Sequence, residues 1–314
     1  MRIAVTGASG VLGRGLAARL LSQGHDVVGL ARHRPESWSS SAEFVVADIR
    51  DAAAVKRAVA GADAVAHCAW AKSPGPDDRI SHQANIDGTR NVLEAMAETG
   101  TGRIVFASSA HVYGAGDAAR TEHDRVSPAS ADGLHKARVE DMLAASDVEW
   151  VAIRSALIVG RSVDNWVRRL LALPAFPDGS ADQRVQLVHV DDMLRLFSRA
   201  LLDTGIHSGP VNVAAPGGPT FRQIAAVLGR PTVRLGGPLA GLRRRGLTSL
   251  AELELMRSAP LMDTSRLRDE WGFVPAWNSD ECVEDFALDH PAGPQPLSDG
   301  HAAGAQPTHR RRGR

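Results

Sequence analysis

Along the first half of the chain, short runs of β-branched and apolar residues alternate with stretches whose apolar positions fall three or four residues apart. That rhythm predicts strands interleaved with amphipathic helices. The predicted strands are Arg2 to Val5, Asp26 to Leu30, Glu43 to Ala47, Ala64 to Cys68, Arg103 to Ala107 and Trp150 to Ile153. The first helix is expected to start near Val11, to carry Leu12, Leu16 and Leu20 on one face, and to stop at Gly24. Such alternation closes into a doubly wound parallel sheet, so the expected fold class is α/β, with one domain over residues 1–155.

Beyond residue 155 the pattern loosens. Gln186 to Val190 and Val211 to Ala214 read as strands, and Phe221 to Leu228 and Leu250 to Arg257 as helices. Together they predict a smaller C-terminal α/β substrate lobe over residues 156–288, interleaved with the first domain. From 289 to 314, Pro, Gly, Ala and His dominate and the chain ends Arg310-Arg311-Arg312-Gly313-Arg314, so a disordered tail is expected there.

Lys and Arg together number 36 and Asp and Glu also 36, so the chain has no net charge to steer it to nucleic acid or to an anionic membrane. The two cysteines, Cys68 and Cys282, lack ligand spacing and suggest neither a disulfide framework nor a metal site. No apolar run reaches the roughly 20 residues that cross a bilayer. A cytoplasmic protein is expected. Basic charge is nearly all arginine, the only lysines being Lys56, Lys72 and Lys136, which draws attention to a lysine at a motif position.

The segment Thr6-Gly7-Ala8-Ser9-Gly10-Val11-Leu12-Gly13 follows the first strand and opens the first helix, the context of a Rossmann dinucleotide-binding turn. Gly7 suits the tight turn, Gly10 close approach of a pyrophosphate, and Gly13 close packing of helix on strand. With these residues the chain resembles the extended short-chain dehydrogenase/reductase family, NAD(P)-dependent epimerases and dehydratases, over residues 1 to about 286. The resemblance implies that Asp48 meets the adenine amino group and Ile49 packs on the ring. It implies that His67-Cys68-Ala69-Trp70-Ala71 lies under the cofactor ribose, and that Asn85, in Asn85-Ile86-Asp87-Gly88-Thr89-Arg90-Asn91, supports the active site. Ser108-Ser109-Ala110-His111-Val112-Tyr113-Gly114 resembles the family's serine segment, and His189-Val190-Asp191-Asp192 and Asn212-Val213-Ala214 match signatures of its second lobe. Where NAD-preferring relatives carry an acidic residue after the second strand, this chain reads Leu30-Ala31-Arg32-His33-Arg34. Two guanidiniums and no carboxylate favour NADP(H) over NAD(H).

The family mechanism needs a phenol one helical turn before a lysine, and an orienting serine. Lys136, Ser109 and Asn85 match; counting back four from Lys136 gives Asp132, inside a frame of Pro128, Ser130, Gly133 and Glu140. A carboxylate is about six pKa units weaker as a base than a phenolate, so Asp132 is a poor substitute. An ion pair of Asp132 with Lys136 is expected instead. His111, His135 and Tyr113 are the other proton carriers at hand. Tyr113 falls in the Val-Tyr-Gly packing motif, and His135 is expected to face away from the lysine. In the second lobe Leu157 and Val159 replace the family's asparagine and tyrosine, and Val185 replaces an arginine that holds nucleotide diphosphate, with Arg184 only adjacent.

His189, Asp191 and Asp192, at a strand end with no second histidine at ligand spacing, do not read as a metal site. Two functions are expected from this pattern. One is an NAD(P)-binding protein of epimerase, dehydratase or reductase type with rerouted or reduced catalysis on an unknown small molecule. The other is a non-catalytic NADP(H)-binding sensor or scaffold module. A homodimer is compatible with either.

Overall fold

The computed structural model describes residues 1–72, 79–116, 118–161, 163–178, 183–203, 205, 208–234 and 250–289. In chain order the first elements are β1 (Arg2–Thr6), α1 (Val11–Ser22), β2 (Asp26–Ala31), β3 (Glu43–Val46), α2 (Ala52–Val59) and β4 (Ala64–His67). There follow α3 (Arg79–His82), a π-helical turn (Gln83–Asp87), α4 (Gly88–Thr99), β5 (Arg103–Ser109), a 3-10 turn (Ala110–Val112), α5 (Ala131–Ala144) and β6 (Glu149–Ser155). The remainder is β7 (Leu157–Val159), α6 (Trp166–Leu171), β8 (Phe176–Asp178), β9 (Leu187–His189), α7 (Val190–Leu202), β10 (Gly209–Val213), α8 (Phe221–Val227), β11 (Thr232–Arg234), α9 (Leu250–Arg257), α10 (Ser265–Asp269) and α11 (Ser279–Asp289).

Seven strands form one parallel sheet in the order β3-β2-β1-β4-β5-β6-β10. This is the α/β doubly wound fold the periodicity predicts. Central strands β1, β2 and β4 are buried almost along their whole length because helices cover both faces. On one face Leu16 and Leu20 of α1 meet Phe197 and Leu201 of α7; on the other Val55, Val92, Met96 and Leu143 of α2, α4 and α5 pack together. Strand order reverses between β1 and β4, and a crevice opens there at the strands' carboxyl ends.

The smaller lobe is built on two parallel pairs, β7 with β9 and β8 with β11, around Leu171, Phe176, Leu187, Phe221 and Phe286. Its chain returns to the main sheet through β10, so the two parts are interleaved. Val190, expected at a strand end, instead opens α7: the Nδ1 of His189 accepts the Asp191 N–H at 3.2 Å and caps the helix. The tail expected at 289–314 lies, apart from Asp289 at the end of α11, outside the described residues.

Candidate functional site

At the end of β1 the chain turns through Gly7, whose φ of 66° is the left-handed region; a Cβ there would lie 2.6 Å from Ala69 N. A Cβ on Gly13 would run into the Gly7 carbonyl and stand 2.9 Å from Ala8 Cα, so only glycine lets α1 approach the turn. On Gly10, which caps α1 without a side chain, a Cβ would meet only Gly7 O, at 3.2 Å, and otherwise open space. That leaves a cradle of glycine backbone at a helix N-terminus, where a pyrophosphate fits.

Two clefts meet at this turn and share Gly7, Gly10, Cys68 and Trp70. The outer one, about 260 Å³, is lined by Ser9, Arg32, Asp48, Ile49 and Ala69 among others. Gly88 admits Ile49 against α4, since a Cβ on it would sit 2.6 Å from Ile49 Cγ2. Asp48 is already held by Arg50, which donates to both carboxylate oxygens at 2.9 Å and, with burial opposing, keeps the carboxyl below its ordinary pKa. Of the two guanidiniums expected at the ribose only Arg32 lines the cleft. Arg34 instead donates to Ser39 O at 3.2 Å, because the loop after β2 folds back on itself. Ala8 is fully buried, its N–H given to Leu30 O at 3.2 Å, so it shapes the turn without facing the cleft.

The inner cleft, about 320 Å³, runs from Val11 and Leu12 past Ser109, Asp132 and Lys136 to Leu157, Ile158, Trp166 and Leu255 of the small lobe. Ser130 caps α5 by accepting the Gly133 N–H at 3.1 Å. Gly133 lets that helix close on the serine segment, since a Cβ there would lie 2.5 Å from His111 O. Lys136 comes from the second turn of α5 and is buried. Its ammonium donates to Ala107 O at 2.5 Å and lies 3.4 Å from the centre of the Trp70 ring. Burial lowers its pKa to about 8, with Asp132, Cys68 and Glu140 pulling the other way. The ion pair expected between Asp132 and Lys136 is not formed: Asp132 Oδ1 accepts the Trp70 indole N–H at 2.7 Å, and the ammonium turns to the β5 carbonyl instead.

Ser109 Oγ is 3.0 Å from His111 Nδ1, and His111 Nε2 is 3.1 Å from Leu255 O. Both residues line the inner cleft. Burial lowers the His111 pKa, the Leu255 carbonyl and Asp132 opposing it. Asn85 lies behind the wall. Its side chain makes two 2.8 Å bonds to the backbone of Ala71, one accepted and one donated, and thereby pins the turn that carries Trp70; its amide also reaches His135 Nδ1 at 3.3 Å. His135 is thus a buried partner of Asn85, a pairing that spacing along one helix did not reveal. His67 bridges Thr6 Oγ1 at 2.8 Å and Thr89 Oγ1 at 2.9 Å, and burial, with Lys136 adding, lowers it to about 3.

Tyr113 is 1% exposed, donates to Asn212 Oδ1 at 2.7 Å and accepts from Arg154 at 2.8 Å. Arg154 in turn pairs with Glu140, which accepts from Ser108 at 2.5 Å. This network ties β5, α5, β6 and β10 together below the cleft and keeps the phenol out of it. Arg184 is bound to Gly218 O at 2.9 Å and Val185 is buried. His189 stacks on Trp277 with centroids 4.0 Å apart and meets Asp285 at 3.2 Å. Asp192 accepts from the Ala276 and Trp277 backbone. Among the described residues no three metal-ligating side chains cluster, and no helix is long and apolar enough to cross a membrane.

An uncharacterized protein of Mycobacterium tuberculosis is 63% identical over 288 residues, which take in 92% of this chain but 30% of that protein. A 2-alkyl-3-oxoalkanoate reductase of Stenotrophomonas maltophilia is 36% identical over 184 residues, 54% of each chain. In fold the chain is similar to the Thermus thermophilus UDP-glucose 4-epimerase in complex with NAD (TM-score 0.74, 23% identity, 92% of this chain and 98% of that one). It is also similar to a short-chain dehydrogenase/reductase superfamily protein of Agrobacterium tumefaciens with bound NAD (TM-score 0.74, 24% identity, 92% and 96%). The model of the NAD dependent epimerase/dehydratase family matches residues 3–214, more than half of the sequence, and the chain belongs to that family.

Proposed function

We propose that this chain binds NADP(H) across the two clefts and receives an uncharged, apolar alcohol or carbonyl compound in the inner one, without the tyrosine–lysine proton transfer of its family. The observation that carries the substrate class is the wall of the inner cleft. Its described charged side chains are Asp132 and Lys136 alone, both at the cofactor end, while Leu157, Ile158, Trp166, Val167 and Leu255 form the far end. Among the described residues of its wall a nucleotide diphosphate would find no guanidinium, since Arg184 is turned away to Gly218. The alkyl chains in the name of the similar 2-alkyl-3-oxoalkanoate reductase support the apolar part of that reading, while the carboxylate in that name gives no support to the uncharged part.

For the cofactor, the glycine cradle would hold the pyrophosphate, Ile49 and Asp48 would form the adenine end, and Arg32, which lines the outer cleft, would meet a 2′-phosphate. A bound nicotinamide would supply hydride transfer. Lys136 and Ser109 line the inner cleft where the reacting end would lie, and Asp132 there already accepts the Trp70 indole N–H.

A second reading, a cofactor-binding module without turnover, is favoured by Lys136 being held by Ala107 O and the Trp70 ring. The chain's span of 30% of its 63% identical relative suits a module within a larger protein. The test is ligand stabilisation of the NADPH-saturated chain. Ethyl 3-oxohexanoate is expected to raise Tm and UDP-glucose to leave it unchanged; stabilisation by UDP-glucose overturns the apolar reading.

A further inference from the structure

We propose that Ser109 and His111 form the proton relay of the inner cleft, with His111 Nδ1 as the base that takes a substrate alcohol's proton through the serine hydroxyl. The proposal rests on the reading above, that the cleft holds a nicotinamide cofactor and an apolar alcohol or ketone.

The hydrogen-bond pattern sets the tautomer. Leu255 O can only accept, so His111 Nε2, 3.1 Å away, carries the hydrogen. Nδ1 is then the acceptor, 3.0 Å from Ser109 Oγ. Ser109 Oγ accepts the His111 backbone N–H at 3.2 Å, which leaves the hydroxyl proton for Nδ1. The serine is thus polarised toward the ring before any substrate arrives.

The other proton carriers are engaged elsewhere. Tyr113 is sealed between Arg154 and Asn212, His135 sits behind Asn85, and His67 is bracketed by two threonines. Asp132 and Lys136 on α5, the Leu255 carbonyl on α9 and the Trp166 ring on α6, 6.5 Å from the imidazole centroid, face His111. Farther out, Lys72, 5.6 Å from the centre of the Trp166 ring, and Arg169 pair with Glu252. Burial, which outweighs the pull of Leu255 and Asp132, lowers the imidazole's pKa and so favours its neutral form, in which Nδ1 is an acceptor.

In the oxidative direction a bound oxidised nicotinamide would take the hydride of the alcohol's C–H bond. The O–H bond breaks, its electrons close the C=O bond, and its proton passes to Ser109 Oγ while the serine's own proton moves to His111 Nδ1. The imidazolium formed is stabilised by the Asp132 charge and yields its proton to water as the ketone leaves. A carboxylate at position 132 thereby gains a positioning role that needs no proton of its own.

Two measurements test this. Side-chain 15N NMR of the cofactor-free protein is expected to show His111 as the Nε2–H tautomer, with Nδ1 shifting in Ser109→Ala. With NADP+ and 1-phenylethanol or 2-octanol as probes, His111→Gln and Ser109→Ala are each expected to lower kcat about 100-fold or more. Both variants should lose the acidic limb of the pH profile and keep NADPH affinity within twofold. An Nδ1–H tautomer, an unchanged pH profile in His111→Gln, or NADPH binding with no oxidation of either alcohol overturns the relay. Failure of the wild-type chain to bind NADPH overturns the cofactor reading beneath it, and the relay with it.

Discussion

Lys136 offers a test of the site that needs no substrate. It is 6% exposed, and burial lowers its pKa from 10.5 to about 8. In the unfolded chain it titrates near 10.4. At ~1.4 kcal/mol for each tenfold change in ionisation, that gap amounts to roughly 3 kcal/mol. Below pH 8 both states hold the proton, and the folded state bears the whole cost of burying the ammonium. Between pH 8 and 10.5 the unfolded chain still holds a proton that the folded chain has released, so stability rises with pH. The Trp70 ring, 3.4 Å from Nζ, favours the ammonium by up to ~2 kcal/mol, so the net rise expected is ~1–3 kcal/mol. Lys136→Met keeps an unbranched side chain as far as the ε carbon and removes the titrating group. Urea denaturation of both proteins from pH 7.5 to 10.5, followed by tryptophan fluorescence, is expected to show wild type gaining that amount relative to the variant. Parallel stability curves would refute the reasoning.

Gly13→Ala is expected to cost about 1–3 kcal/mol and to weaken NADPH binding, because its Cβ meets the backbone of Gly7 and Ala8, which has no rotamer to give; an unchanged Tm would contradict the close approach. Tyr113→Phe is expected to lose about 1–3 kcal/mol by orphaning Asn212 Oδ1 and Arg154 Nη1, while NADPH affinity stays within twofold, as calorimetry and a binding titration would show. Arg32→Glu is expected to weaken NADPH at least about tenfold, ~1.4 kcal/mol, and NADH less, in the same titration.

Features that depend on local periodicity were legible in the sequence. The strands flanking the glycine turn and the start of α1 at Val11 follow from side-chain spacing and backbone constraints that act within a few residues. α7 went unread although Met193, Leu196, Phe197, Ala200 and Leu201 hold helical spacing, because the His189 and Val190 signature draws the eye to a strand. Partnerships between distant segments were not legible. Trp70 and Asp132 are 62 residues apart, and nothing in either neighbourhood announces that the indole N–H donates to the carboxylate. Arg34 looks equivalent to Arg32 in the sequence, and only the fold of the following loop, which offers it Ser39 O, separates them.

The most direct test of the account is a fluorescence titration of the wild-type chain with NADPH and, separately, with NADH. The glycine cradle, Ile49 and Arg32 together predict micromolar NADPH binding with NADH weaker. NADH binding as tight as NADPH would contradict the role of Arg32, and binding of neither would contradict the cofactor site itself.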